Sequence, residues 1–211
     1  MTAKDISIIG GGWSVANVDR ARIPGLIIGV NDSAIHTRCN IVVTMDRLWA
    51  EHRWQQLRCG LRIGNPQQVW IRRAAAKNIP ADEQERGCSL FECSHKSTEF
   101  SEHQGTLNGT NSGMCAFNLA YQMRPERIWL FGFDMNRSPK GEAYWYPPYP
   151  WNPHGATKPG KYQEWAKQFD DAATKCKAAG VQVLNVSPTS SIDTFTKMDP
   201  RDLQQVMERA A

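Results

Sequence analysis

Ser7-Ile8-Ile9-Gly10-Gly11-Gly12-Trp13-Ser14 is the stretch on which the fold of this chain turns. A β-branched run ends in three glycines, and a serine suited to capping a helix follows. That is the pattern of a strand, a tight turn and a helix N-terminus. Such a junction offers backbone N–H groups and a positive dipole end to an anion. Glycine also lets the backbone approach a phosphate with no Cβ between them. The stretch therefore predicts a site for a nucleotide or another phosphate ester. The same glycines also serve a plain β–α turn. No Lys-Ser/Thr follows them, which excludes a P-loop. A G-x-G-x-x-G fingerprint is incomplete, because Val15 or Ala16 stands where its third glycine belongs.

The pattern repeats along the chain. The apolar runs Leu26 to Val30, Ile41 to Thr44, Gln68 to Arg72, Arg127 to Phe131 and Val181 to Val186 read as further strands. Helical spacing covers Arg47 to Leu57, Gly113 to Gln122 and Lys161 to Ala179, the last closed by Gly180. Asp199-Pro200 supplies a cap and first residue for a terminal helix. Short strands alternating with helices predict an α/β fold, a single Rossmann-like doubly wound, mostly parallel sheet with helices on both faces. One domain spans 1–211. Residues 73–108 lose all periodicity and read as an irregular insertion, a lid or a rim hairpin. Residues 136–160 are rich in proline and aromatics, Trp145 and Trp151 among them, and read as a lid loop. Ligands of such sheets bind beyond the carboxyl ends of the strands. The polar residues that end each run are therefore the candidates: Gly10 to Ser14, Asn31, Asp32, Asp46, Asp134 and Asn185 to Thr189.

The 211 residues are 41% hydrophobic and 22% charged, a globular composition. The net charge of +4 permits an anionic ligand without marking a dedicated nucleic-acid binder. No apolar run approaches the ~20 residues that span a bilayer, and the N-terminus lacks a signal-peptide core, so a cytoplasmic protein is expected. The six cysteines include no C-x-x-C pair. Cys88, Glu92, Cys93 and His95 cluster, but at no common zinc spacing, so free thiols and no metal are expected. His36, His52, His95 and His103 read as solvated surface residues. So does the basic cluster Arg58, Arg62, Arg72, Arg73 and Lys77, which leaves an anionic glycan or modified nucleic acid open as acceptor. No feature of the sequence sets an oligomeric state.

"IIGGGWS", "GVND", "VVTMD", "GTNSGMCAFNLAYQMRPERIWLFGFDM" and "VLNVSPTSSI" occur in an order that resembles bacterial lipooligosaccharide sialyltransferases. It also resembles the broader Rossmann-like set with flagellin-modification proteins and archaeal 6-hydroxymethylpterin diphosphokinases. The resemblance implies a nucleotide-sugar-dependent glycosyltransferase. Gly11, Gly12 and Ser14 would hold phosphate, in place of an Asn-Gly-Pro-Ser-type turn. Asn31 would read the nucleotide, and Asp46 stands where another asparagine is usual. Ser112 and Gly113 would bind the nucleotide or a sugar carboxylate, and Asp134 of Gly132-Phe133-Asp134 the ribose or base. Gly10, Gly132 and Ser187 complete the donor-binding set. Tyr144 and Tyr146 would stabilise the departing phosphate, and His154 would be the general base. Such a transferase takes the nucleotide-sugar as substrate and requires no cofactor, in keeping with the absence of D-x-D. The alternatives are an ATP- and Mg²⁺-dependent diphosphoryl transferase, with Asp46 and Asp134 as metal carboxylates, or a non-catalytic nucleotide-binding accessory protein. The compact chain also fits a phage-encoded member.

Overall fold

The six apolar runs form the strands β1 (Asp5–Ile9), β2 (Leu26–Val30), β3 (Ile41–Thr44), β4 (Gln68–Arg72), β6 (Arg127–Phe131) and β7 (Gln182–Asn185), and two short strands outside those runs join them, β5 (Ser89–Phe91) and β8 (Thr196–Lys197). The helices that frame the sheet include α1 (Ser33–His36), α2 (Arg47–Arg58), α3 (Ser112–Gln122), α4 (Pro159–Ala178) and α5 (Leu203–Arg209). The structure is a computed structural model that describes residues 3–58, 67–82, 84, 88–94, 99–152 and 157–209.

Among the described residues the strands form one eight-stranded sheet in the order β5-β4-β3-β2-β1-β6-β7-β8, and every pairing is parallel. The chain steps outward from β1 to β5, then returns through α3 to lay β6 on the free side of β1. The direction of winding reverses between β1 and β6. This is a topological switch point, the place where open parallel sheets leave a crevice for ligands.

Strand alternation feeds both faces. On one face Ile6, Ile8, Ile28, Val30, Ile128 and Leu130 pack under α3 and α4 through Met114, Phe117 and Phe169. On the other, Val42, Val69 and Ile71 meet Trp49 and Trp54 of α2. Beside them Ile9, Trp129, Phe131 and Leu184 meet Val15, Val18 and Leu203. Complete burial of an isoleucine or phenylalanine is worth ~1.5–3 kcal/mol, so these positions fix which way each strand faces.

Two expectations are corrected here. Residues 73–108 contain an edge strand, β5, and anchor to the core through Phe91, Phe100 and Leu107. A three-residue strand with one side chain fully buried is too short to show a period in the sequence. No α-helix follows the triple glycine. Trp13–Asn17 form a 3-10 turn with Gly12, not Ser14, at its N-cap. The tail behaves as expected: the Asp199 side chain accepts from Arg201 N–H ahead of Pro200–Asp202, and α5 follows.

The paired strands at the switch point are tied together where they begin. Asp5 accepts two bonds from Arg127, at 2.6 and 3.0 Å, and one from Trp129 Nε1 at 2.9 Å. Burial pushes the Asp5 carboxyl up, but the bonds from Arg127 and Trp129 and the charges of Arg127 and Lys4 outweigh it. Its pKa lies below the ordinary 3.8. A lowered folded-state pKa contributes stability that is complete above 3.8 and lost as pH falls through the folded value. Asp5→Asn is expected to cost about 1.5–3 kcal/mol at neutral pH, with the deficit shrinking below pH 3.8. Urea unfolding at several pH values measures this, and a deficit independent of pH would contradict it.

Candidate functional site

The exits of β1 and β6 are stitched together by their own backbones. Gly10 N–H donates to Phe131 O at 2.8 Å and Gly12 N–H to Gly132 O at 2.9 Å. A Cβ on Gly12 would fall onto the Gly132 carbonyl and the Asp134 carboxylate, so only glycine permits this approach. Ser14 N–H donates to Asp134 Oδ2 at 3.0 Å. The amides of Gly10, Gly12 and Ser14 are thus engaged inside the protein, and of the three glycine amides Gly11 N–H alone has no partner among the described residues. Ser14 and Ser187 are buried, with their hydroxyls 2.9 Å apart. They support Asp134 and do not line the neighbouring cavity, so their expected direct place at the donor is corrected as well. Burial pushes the Asp134 carboxyl up, against the hydrogen bonds from Ser14 and Ser187. Its Oδ1 is buried without a partner.

A cavity of about 390 Å³ lies over the carboxyl edge of the sheet, within the range of small-molecule sites. Along its floor stand Gly132 and Asp134 after β6, Gly10 to Gly12 after β1, Asn31 after β2, Asp46 after β3 and Arg72 at the end of β4. Ser112 and Gly113, at the start of α3, line it too. The structure thus brings together residues drawn from five strands and a helix.

Their local roles differ. Asn31 holds a left-handed backbone, φ +52°, and its Oδ1 is buried without a partner. Asp46 Oδ1 accepts from Trp49 N–H at 3.2 Å and so caps α2. The cap of α3 is Asn111, whose Oδ1 accepts from Met114 N–H at 3.0 Å. Ser112 lies inside the helix, and its hydroxyl accepts from Met45 N–H at 3.0 Å. The N–H groups of Ser112 and Gly113 belong to the first turn, where no intrahelical acceptor exists and the helix dipole is positive.

The Pro/aromatic segment roofs this floor. Trp145 donates its backbone N–H to Gly11 O at 3.2 Å and its ring N–H to Gly10 O at 3.1 Å. A Cβ on Gly11 would stand 2.8 Å from Tyr146 Oη and 3.0 Å from Tyr144 Cδ1. Tyr144 and Tyr146 stack at 5.4 Å, and Tyr146 stacks on His36 at 5.4 Å. Tyr149 stacks on Trp151 and Trp151 on His52. His36 is therefore a half-buried ring partner, not the solvated surface residue expected of it, whereas His52 is exposed as expected and stacks on Trp151 from the surface. Burial pushes the Tyr146 hydroxyl far up and the Tyr144 hydroxyl up as well, so both remain hydrogen-bond donors at neutral pH. His154, Gly155 and their neighbours 153 and 156 lie outside the described residues.

The sequence reading missed several lining residues. Arg72 was grouped with surface cations, although it ends an apolar run just as Asn31 and Asp134 follow theirs. Tyr149 lies in the segment already singled out. Tyr162 and Trp165 of α4 line the cavity with no signal beyond helical spacing. Among the described residues no group of His, Cys, Asp or Glu is arranged to hold a metal ion, and Cys39, Cys88, Cys93, Cys115 and Cys176 form no disulfide. No helix among them is long and apolar enough to cross a membrane.

No family model matches the chain, and no curated protein matches it. Solved structures do. The monofunctional α-2,3-sialyltransferase Cst-I of Campylobacter jejuni aligns with a TM-score of 0.62 at 14% identity, over 93% of this chain and 81% of its own. The sialyltransferase CstII of the same organism, solved with the substrate analogue cytidine-5'-monophosphate, aligns at 0.58 and 15% identity, over 92% and 84%. A CST-II complex with a trisaccharide acceptor and CMP aligns at 0.58 and 14%, over 92% and 86%. At these identities the likeness establishes a shared sialyltransferase-like α/β fold.

The buried carboxyl of Asp134 sets a pH signature opposite to that of Asp5. Its folded-state pKa is raised, so its ionisation costs stability above that value, and the cost vanishes below 3.8. Asp134→Asn keeps an acceptor for Ser14 N–H and removes the charge. The stability of the variant relative to the parent is expected to be greatest at neutral pH and to fall on acidification toward 3.8. Urea denaturation across that window tests it, and a flat difference would mean that Asp134 holds no buried charge.

Proposed function

We propose that this chain is a nucleotide-sugar-dependent glycosyltransferase of sialyltransferase-like fold, with its donor in the switch-point cavity. The observation that carries this reading is the composition of that one cavity. A floor built from both strand exits of the switch point meets a roof of tyrosines and the open first turn of α3. The neighbours solved with CMP support a cytidine nucleotide at the floor. Asp134 and Asn31, with unpartnered oxygens, suit the hydroxyls and amines of a nucleoside.

Glycosyl transfer breaks the bond between the anomeric carbon and the donor phosphate while an acceptor oxygen forms a new one. The phosphate leaves with the bonding electron pair and gains negative charge. The Tyr144 and Tyr146 hydroxyls and the N–H groups of Ser112 and Gly113 are donors suited to that charge. The acceptor hydroxyl gives its proton to a base, the role proposed for His154. The donor phosphate needs no metal in this reading. An anionic or neutral glycan, or a modified nucleic acid, serves as acceptor.

Calorimetric titration with cytidine, uridine, guanosine and adenosine monophosphates in chelator tests the first step. Cytidine monophosphate is expected to bind best and without Mg²⁺, and Asp134→Ala to weaken it by ~10-fold or more, the cost of losing a bond to a charged group. Binding that appears only with Mg²⁺ and adenosine nucleotides would favour diphosphoryl transfer instead. With donor and acceptor in hand, His154→Ala is expected to lower turnover ~10²- to 10⁴-fold with nucleotide affinity little changed. Near-normal turnover would remove the base assignment.

A further inference from the structure

Cys93 and Cys115 are 22 residues apart in the chain, yet their sulfurs lie 3.7 Å from one another. The fold brings them together around one short segment. Cys93 stands two residues past β5, and its thiol reaches Gly109 O at 3.4 Å. Cys115 lies near the start of α3, where its N–H donates to Asn111 O at 3.2 Å. Its thiol reaches Leu107 O at 3.7 Å. Gly109 is pressed against the same turn: a Cβ there would stand 2.6 Å from Met114 Cβ and 2.9 Å from Cys115 N. The chain from Leu107 to Gly109 thus receives both thiols. A disulfide places its sulfurs about 2.05 Å apart. Cys93 belongs to no strand or helix, so its side chain and backbone are free to cover the small remaining distance.

The two sulfurs differ in character. Cys115 is fully buried, whereas Cys93 is half-buried and within reach of a small reagent. The Cys115 S–H donates to an ionised Cys93 sulfur, and the positive charge of Arg72 favours the same form. Together they outweigh burial and hold the Cys93 thiol below its ordinary 9.0. The bond to Cys93 and burial push the Cys115 thiol well above that value. This asymmetry is that of an attacking thiol beside a resolving one. Two other cysteines lack it, since burial pushes the Cys88 thiol up and that of Cys176 up to about 12.

We propose that Cys93 and Cys115 form a reversible redox site that takes a small hydroperoxide as its oxidant and closes to a disulfide. The Cys93 thiolate attacks the hydroperoxide oxygen. An S–O bond forms as the O–O bond breaks, and the leaving oxygen takes the electron pair and a proton, as water when the oxidant is hydrogen peroxide. The Cys115 sulfur then attacks the sulfenic acid on Cys93. An S–S bond forms, the S–O bond breaks, and the departing hydroxide takes the Cys115 proton as water. An external dithiol reverses the step by exchange. The site does not depend on the glycosyltransferase reading. It stands behind the cavity wall, which includes Arg72 and the Ser112-Gly113 start of α3 but neither cysteine.

Oxidation of the full chain with hydrogen peroxide, after removal of reductant, tests this. The intact mass is expected to fall by two hydrogens, and non-reducing peptide maps to show Cys93 joined to Cys115. Dithiothreitol is expected to restore the mass. Loss of the free Cys93 thiol is expected to run about 10-fold or more ahead of loss at Cys88 or Cys176. Cys115→Ser is expected to halt at a Cys93 sulfenic acid that dimedone captures. Cys93→Ser, at the half-buried position, is expected to abolish the cross-link in a folded protein. A Cys93–Cys115 cross-link that forms in urea but not in the folded chain overturns the proposal. So does a different cysteine pair, or Cys93 carried on to sulfinic acid with Cys115 still a thiol.

Discussion

The contact between the glycine turn after β1 and the exit of β6 is the constraint on which the rest of the site depends. Gly10 and Gly12 donate to Phe131 and Gly132, so the two strand exits leave the sheet as one welded unit. The approach is so close that Gly12 has no room for a side chain. Asp134 then reaches across to Ser14 N–H and closes the unit from the β6 side. A bond from a backbone N–H to a carboxylate is charge-assisted and strong. Here it draws in a buried carboxyl whose ionisation the surroundings resist. Strand order alone would place a crevice here. The weld gives the crevice a rigid floor.

The roof depends on the same contact. Tyr144 and Tyr146 press onto Gly11, and Trp145 hangs from the carbonyls of Gly10 and Gly11. Because those carbonyls are fixed by the weld, the stacked rings above inherit a defined height over the floor. Proline and aromatic residues have little rotamer freedom to lose, so a segment rich in both is ordered at low entropic cost. Hydroxyls held in place before a ligand arrives need no reorganisation when charge develops on it.

The sheet was legible because its strands are short, β-branched and buried on both faces, which leaves a mark in the sequence even without alternation. The polar residues at strand exits were legible for the same reason: each interrupts an apolar run. Strand β5 was not, since Ser89-Leu90-Phe91 is an edge strand with one fully buried residue and no run to interrupt. The fate of the glycine amides was not legible either. Sequence spacing shows that a turn can expose them, whereas those of Gly10 and Gly12 find their partners at the exit of a strand more than 100 residues away. Ser14 and Ser187 carried the right chemistry but stand behind Asp134. Arg72 misled in the other direction. Neighbouring cations in the sequence suggested a solvated patch, but its place at the end of β4 turns it to the cavity.

These placements redistribute the work expected of the glycine stretch. Backbone amides engaged with their own protein do not bind phosphate, so Gly10 and Gly12 act by close approach under the aromatic roof, and Gly11 alone of the three has an amide without a protein partner among the described residues. Other donors stand around the same cavity. The first turn of α3 supplies open N–H groups and a positive dipole end, and it lies against the exit of β3 because Ser112 accepts from Met45. Tyr144 and Tyr146 supply neutral hydroxyls. Arg72 is a cationic side chain on the cavity lining. A phosphate cradle made of glycine amides tolerates no rearrangement of its turn. Donors shared among a helix, a roof and one arginine do not depend on that turn's detailed sequence. The departure from an Asn-Gly-Pro-Ser-type turn is therefore compatible with a working anion site in this fold.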